Sequence, residues 1–176
     1  MNRQKLSETS FGYFDIDIIN NQSLKKFCLS HKENKLSNDI TDTRNEDIKL
    51  SEDIELKFLL DTITTYCSEK WNKKVDLLDY WAQIHEKNES TNLHNHVDPK
   101  NLKESPDISG VYFVSLPKDS GKLVLQYNIN QYEVKRWWPE IKEKRVLLFP
   151  ATLDHFVTKN LSEDYRISIA FNLRVS

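Results

Sequence analysis

The chain has 176 residues, 38% hydrophobic and 30% charged, with a formal net charge of −2. That length suits one domain with a real core, and that composition suits a folded chain rather than a disordered one. The near-neutral charge recommends neither nucleic acid nor an anionic membrane as a partner. No apolar run approaches the roughly 20 residues of a membrane span, and MNRQKLSETS lacks the apolar stretch of a signal peptide, so a cytoplasmic protein is expected.

Residues 11–19, FGYFDIDII, alternate apolar and polar and predict an N-terminal strand. Residues 22–31 predict a short helix, and the polar residues 32–50 predict a loop. Ser51 reads as the N-cap of a long helix ending near Trp71, with Glu52 and Asp53 in the first turn and Leu56, Leu59, Leu60, Ile63 and Cys67 on one face. Cys28 and Cys67 lie far apart, outside any metal spacing, and read as reduced buried thiols. From residue 77 the texture changes to short strand-like runs: 77–85, 109–116, 122–127, 145–150, 155–159 and 165–173. Asp119-Ser120-Gly121 predicts a hairpin turn. Helices followed by seven or eight short antiparallel strands give an α+β, mainly β fold. The expectation is a double-stranded β-helix (a cupin-like jelly-roll) with N-terminal helices packed on one side. It is read as one domain over 1–176, with 1–75 as the helical flank and 76–176 as the barrel core.

The chemistry sits in the histidines. Residues 92–98 read NLHNHVD, and positions two apart on a strand share a face, so His94, His96 and Asp98 can point one way. An imidazole and a carboxylate so placed, joined by a histidine from a distant strand, make the facial triad of a non-haem Fe(II) site. His155, 59 residues after His96, is the distant candidate. On the last strand, YRISIAFNL, Arg166, Ser168, Ala170 and Asn172 share one face, while Ile167, Ile169, Phe171 and Leu173 share the other. An arginine on a buried strand needs an anion, and a bidentate carboxylate with Ser168 as an added donor would satisfy it. Each piece is common singly; their order and strand context are not. His85, at a strand-to-loop junction, reads as solvent-exposed, and His31 is assigned no role.

The segments WAQIHEKNESTNLHNH, SGVYFVSLPKDSGKLVL and LLFPATLDHFVTKNLSEDYRISIAFN resemble the Fe(II)- and 2-oxoglutarate-dependent oxygenase superfamily, in its branch of small, largely uncharacterised bacterial and phage members. The likeness covers nearly the whole chain. It implies a hydroxylase that uses Fe(II) and 2-oxoglutarate, with dioxygen and a small-molecule or peptidyl substrate as reaction partners. It also implies His155 as distal iron ligand, Arg166 and Ser168 on the distal carboxylate of 2-oxoglutarate, and Tyr112 against that carboxylate. Asn172 and Gln83 are further candidates for the co-substrate or product end.

The branch places Ser-Gly-Val-Tyr soon after His-x-His. Here VDPKNLKESPD intervenes and supplies Asp98. The proximal pair is therefore His96 with Asp98 or His94 with His96. Charge favours the former, since a carboxylate partly neutralises Fe(II). Residues 99–108 and 128–144 are expected as loops at the barrel mouth, the second carrying Trp137 and Trp138 as candidate substrate contacts. Two other readings share the strand pattern: a cupin-like metal dioxygenase without 2-oxoglutarate, and a non-enzymatic β-sandwich binding module. The first leaves Arg166 and Ser168 without a role. The second predicts no Fe(II) binding.

Overall fold

The structure is a computed structural model and describes residues 10–32, 35–37, 40–42, 53–130 and 132–176. The expected fold class is met. Two antiparallel sheets face each other, and two helices cover the outer face of the larger.

The elements run β1 (Gly12–Asp15), α1 (Asn21–Ser30), β2 (Lys35–Ser37), β3 (Ile40–Asp42), α2 (Ile54–Trp71), β4 (Val75–His85), β5 (Thr91–His94), β6 (Ile108–Ser115), β7 (Leu123–Asn130), β8 (Glu133–Trp137), β9 (Arg145–Pro150), β10 (Asp154–Val157) and β11 (Arg166–Val175). The large sheet is ordered β1-β9-β6-β11-β4-β3-β2 and the small one β5-β10-β7-β8.

Helix α2 follows from its apolar stripe, with Leu56, Leu59, Leu60, Ile63 and Cys67 all buried. Its N-cap is Asp53, whose side chain accepts the Leu56 amide at 2.8 Å; the expected cap, Ser51, lies outside the described residues. Asn72 closes the helix in the left-handed conformation. Helix α1 is capped by Asn20 and is pinned to the sheet by Asn21, whose amide donates to the Val114 carbonyl at 2.8 Å.

Several elements differ from the sequence expectation. β1 stops at Asp15, and the next two described strands, β2 and β3, occupy part of the expected loop 32–50. β8 forms within the expected loop 128–144 by pairing with β7. The Asp119–Gly121 turn is present, with both residues at positive φ, but it carries the chain from β6 in one sheet to β7 in the other and closes no hairpin. Gly121 is required there, because a Cβ would lie 2.3 Å from the Thr158 carbonyl oxygen.

β11 is the central strand and sets both sides of the molecule. Ile167, Ile169, Phe171 and Leu173 enter the core beneath the helices. Residues Arg166, Ser168 and Ala170 face the space between the sheets, which a smaller apolar cluster around Phe113, Leu147 and Phe149 closes. No described helix is long and apolar enough to cross a membrane.

Candidate active site

β5 and β10 pair with His94 opposite His155, so strand pairing alone sets two imidazoles side by side. His96 arrives from just beyond the end of β5, held by a backbone bond from its amide to the Ala151 carbonyl at 3.0 Å. Its Nε2 stands 3.2 Å from Nε2 of His155, and the two rings stack with centroids 5.0 Å apart. One nitrogen from each of His94, His96 and His155 lies within 4.8 Å of the others.

The outer nitrogens of two of the three are already committed. His155 Nδ1 donates to the Leu153 carbonyl at 3.0 Å, and His94 Nδ1 donates to the Asn92 carbonyl at 2.7 Å. Such bonds fix the tautomer that leaves Nε2 as a lone-pair donor, the usual arrangement behind metal-ligating histidines. Burial, with the neighbouring His94 as a second cause, lowers His155 to about 4, so its ring is neutral at neutral pH. Two ring nitrogens facing each other at 3.2 Å need a proton or a cation between them. A divalent ion holding two imidazoles at right angles, each at about 2.1 Å, separates their nitrogens by roughly 3 Å. The donor set and its spacing fit a transition-metal ion such as Fe(II).

Asp98 is not brought into this cluster. β5 ends at His94, and the chain turns through Asn95, whose side chain accepts the Val97 amide and donates to Asp154. The two-residue alternation that would have aligned Asp98 with His96 therefore stops. Asp98 is exposed, and its carboxylate accepts the Lys100 amide at 2.8 Å. The trio gathered is His94, His96 and His155.

Arg166, 1% exposed, lies in the same cavity. Among the described residues, its Nε and Nη2 have no hydrogen-bond partner, and Nη1 reaches only Ser168 Oγ at 3.5 Å. Burial lowers the guanidinium to about 10, which leaves it charged at neutral pH. A buried cation with two idle donor groups is costly unless an anion meets it. Gln83, in register with Ser168 across β4 and β11, faces the cavity too.

The remaining candidates lie elsewhere. Tyr112 does not face the cavity: it pairs with Ile169 on the helix-facing side of the sheet, and its hydroxyl donates to Asn21 Oδ1 at 2.6 Å. Strand alternation decides this, since Ile169 and Arg166 point to opposite faces. Asn172 is engaged on both ends, accepting from Ser109 and donating to Asp79, each at 2.7 Å. It borders a polar hollow of about 410 Å³ that opens beside His94 and His96 between Asp79, Asp98 and Glu104. Trp137 and Trp138 are both half exposed. Trp137, on β8, flanks an apolar groove with Tyr127, Ile129 and Leu153. Sequence reasoning missed Thr91, which lines the cavity, and misread His85, which is wholly buried rather than exposed. The signal for His85 was available: it lies two residues after Gln83 and therefore on the same strand face.

Residues 79–172 match the family described as "Putative 2OG-Fe(II) oxygenase", where 2OG is 2-oxoglutarate. The chain belongs to this oxygenase family. Its solved structural neighbours include the non-heme alpha-ketoglutarate-dependent epimerase SnoN from nogalamycin biosynthesis (10% identity, TM-score 0.72, 94% of this chain and 77% of that one). The viral collagen prolyl hydroxylase of Paramecium bursaria Chlorella virus-1, in its 2OG complex, matches at 11% identity and TM-score 0.64, over 94% of this chain and 96% of that one. A Pseudomonas putida prolyl-4-hydroxylase matches at 11% and 0.64, over 94% and 92%. At such identities these neighbours speak to the fold. No curated protein matches the sequence. As a 2OG-Fe(II) oxygenase, the protein is a dioxygenase that uses iron and 2-oxoglutarate. The gathered histidines and the idle guanidinium are the groups in it suited to those two ligands.

Proposed function

We propose that this oxygenase is a hydroxylase whose iron is held by His94, His96 and His155, and whose 2-oxoglutarate is anchored by Arg166 and Ser168. The observation that carries this is a buried arginine with two unpartnered donor groups in the same cavity as three convergent imidazoles. A cupin-like dioxygenase without 2-oxoglutarate would have no use for that arginine.

When bound, Fe(II) with 2-oxoglutarate supplies oxidation of a substrate C–H bond, coupled to decarboxylation of the co-substrate and consumption of dioxygen. The chain's own residues do the rest. His94 and His155 present lone pairs because their Nδ1 protons are tied to main-chain carbonyls. Arg166 fixes the co-substrate's far end by a charge-assisted fork, and Ser168 adds a hydroxyl. The apolar wall of Trp81, Phe149 and Leu123 limits water in the cavity. A small-molecule or peptidyl substrate would reach the centre through the hollow beside His94 and His96 or along the groove beside Trp137. The flank 1–75 and the barrel 76–176 act as one domain in this reading, since β1, β2 and β3 extend the large sheet.

The test is anaerobic addition of Fe(II) and 2-oxoglutarate to the purified protein, followed by visible absorbance. A weak metal-to-ligand charge-transfer band in the wild type, absent from His155→Ala and weakened in Arg166→Ala, is the expected result. Iron binding without a band would refute the 2-oxoglutarate site. Absence of iron binding would refute the metal site.

A further inference from the structure

The reading above leaves the buried pair of His85 and Thr91 without a role. His85, fully buried at the end of β4, stands opposite Arg166 in the β4–β11 register. Its Nε2 lies 2.9 Å from the hydroxyl of Thr91, across the space between the two sheets. Its Nδ1 has no hydrogen-bond partner among the described residues. Thr91 is itself buried, and it lines the cavity that contains Arg166 and Ser168.

The hydrogen-bond inventory selects between two tautomers. With the proton on Nδ1, a buried N–H would be left idle and the threonine would spend its own proton on His85. With the proton on Nε2, His85 donates to Thr91 Oγ1, and the threonine proton is free to point into the cavity. The second arrangement leaves only a bare lone pair unsatisfied. Burial, with the charge of Arg166 as a second cause, keeps His85 uncharged, so it does not compete with Arg166 for an anion.

We propose that Thr91 is a further donor to the distal carboxylate of 2-oxoglutarate, and that His85 is the positioning residue that turns the threonine hydroxyl toward it. This rests on the assignment of Arg166 to that same carboxylate. Three donors, from β11 and β5, then surround the carboxylate, and the relay from His85 ties the two sheets together at the co-substrate's far end.

The experiment compares two ligands on the Fe(II)-loaded protein under anaerobic conditions. 2-Oxoglutarate carries the distal carboxylate; 2-oxobutyrate keeps the chelating 2-oxo acid and lacks it. Affinities are read from the charge-transfer band in the wild type, Thr91→Val, Thr91→Ser and His85→Leu. Thr91→Val is expected to weaken 2-oxoglutarate about tenfold, as for loss of one bond to a charged group, and to leave 2-oxobutyrate unchanged. Thr91→Ser should restore the wild-type value. His85→Leu should weaken 2-oxoglutarate as Thr91→Val does, and the double variant should be no weaker than Thr91→Val alone. Unchanged 2-oxoglutarate affinity in Thr91→Val, or an equal loss for both ligands, overturns the proposal. A wild type that forms no band with 2-oxoglutarate refutes the co-substrate assignment itself, and this proposal with it.

Discussion

Replacing Arg166 with methionine is expected to raise the stability of the ligand-free protein while removing its response to 2-oxoglutarate. Arg166 is 1% exposed, and its Nε and Nη2 have no partners among the described residues. Each idle buried donor costs about 1–3 kcal/mol, so at least about 2 kcal/mol is recovered when both are removed. Against this stands the loss of the contact with the Phe113 ring, 5.7 Å from the guanidinium carbon, worth about 1 kcal/mol. The bond to Ser168, at 3.5 Å, adds little. Methionine fills a similar length of apolar space. The net gain is about 1 kcal/mol, which raises Tm by roughly 2–4 °C in a chain of this size. Scanning calorimetry in the presence of a chelator measures it. The second arm adds Fe(II) and 2-oxoglutarate at about one hundred times the wild-type Kd, where the wild type should gain about 2.7 kcal/mol and the variant nothing beyond the metal's own effect. A ligand-free variant that melts below the wild type would refute the claim that Arg166 is an unmet cost. A variant that keeps the co-substrate-dependent rise would refute its role as the anion anchor.

The remaining predictions concern the metal, proton linkage and packing. His94→Ala should abolish stoichiometric Fe(II) binding while Asp98→Ala leaves it intact, as read by anaerobic metal titration; the reverse pattern would restore the His96–Asp98 pair. His85, lowered from 6.5 to about 3, binds its proton far more readily in the unfolded chain. Its stabilising contribution is therefore complete above pH 6.5 and is lost as pH falls toward 3, at up to about 1.4 kcal/mol per pH unit. Urea unfolding at pH 7 and pH 5 should show that loss in the wild type and a smaller one in His85→Gln. Gly110→Ala would place a Cβ 2.2 Å from the Phe171 ring, and a destabilisation of about 1–3 kcal/mol by overpacking should appear in thermal unfolding. Asp53→Ala, which removes the α2 cap, should cost about 1 kcal/mol in the same assay.

What could be read in the sequence was whatever depends on period and order within one strand or helix. The apolar stripe of α2 identified a helix, and the strict alternation of 165–173 separated Ile167 and Ile169 from Arg166 and Ser168 before any partner strand was known. The family likeness rests on the same local segments, because the sequence keeps them contiguous. What tertiary structure alone decided was where a strand stops and which strand lies beside it. Alternation put Asp98 with His96, but β5 ends at His94, and the Asn95 turn sends the carboxylate to solvent while strand pairing brings His94 to His155. Tyr112 was given to the cavity by resemblance, yet its register with Ile169 sends it beneath the helices. β8 and β3 carry little signal of their own and form because β7 and β4 offer edges to pair with. His85 looked like a surface residue at a strand end. Its face, shared with Gln83, marked it as inward; what the sequence did not show is that the chain crosses from β4 to β5 in the facing sheet and brings Thr91 against it, a step set by the packing of the two sheets.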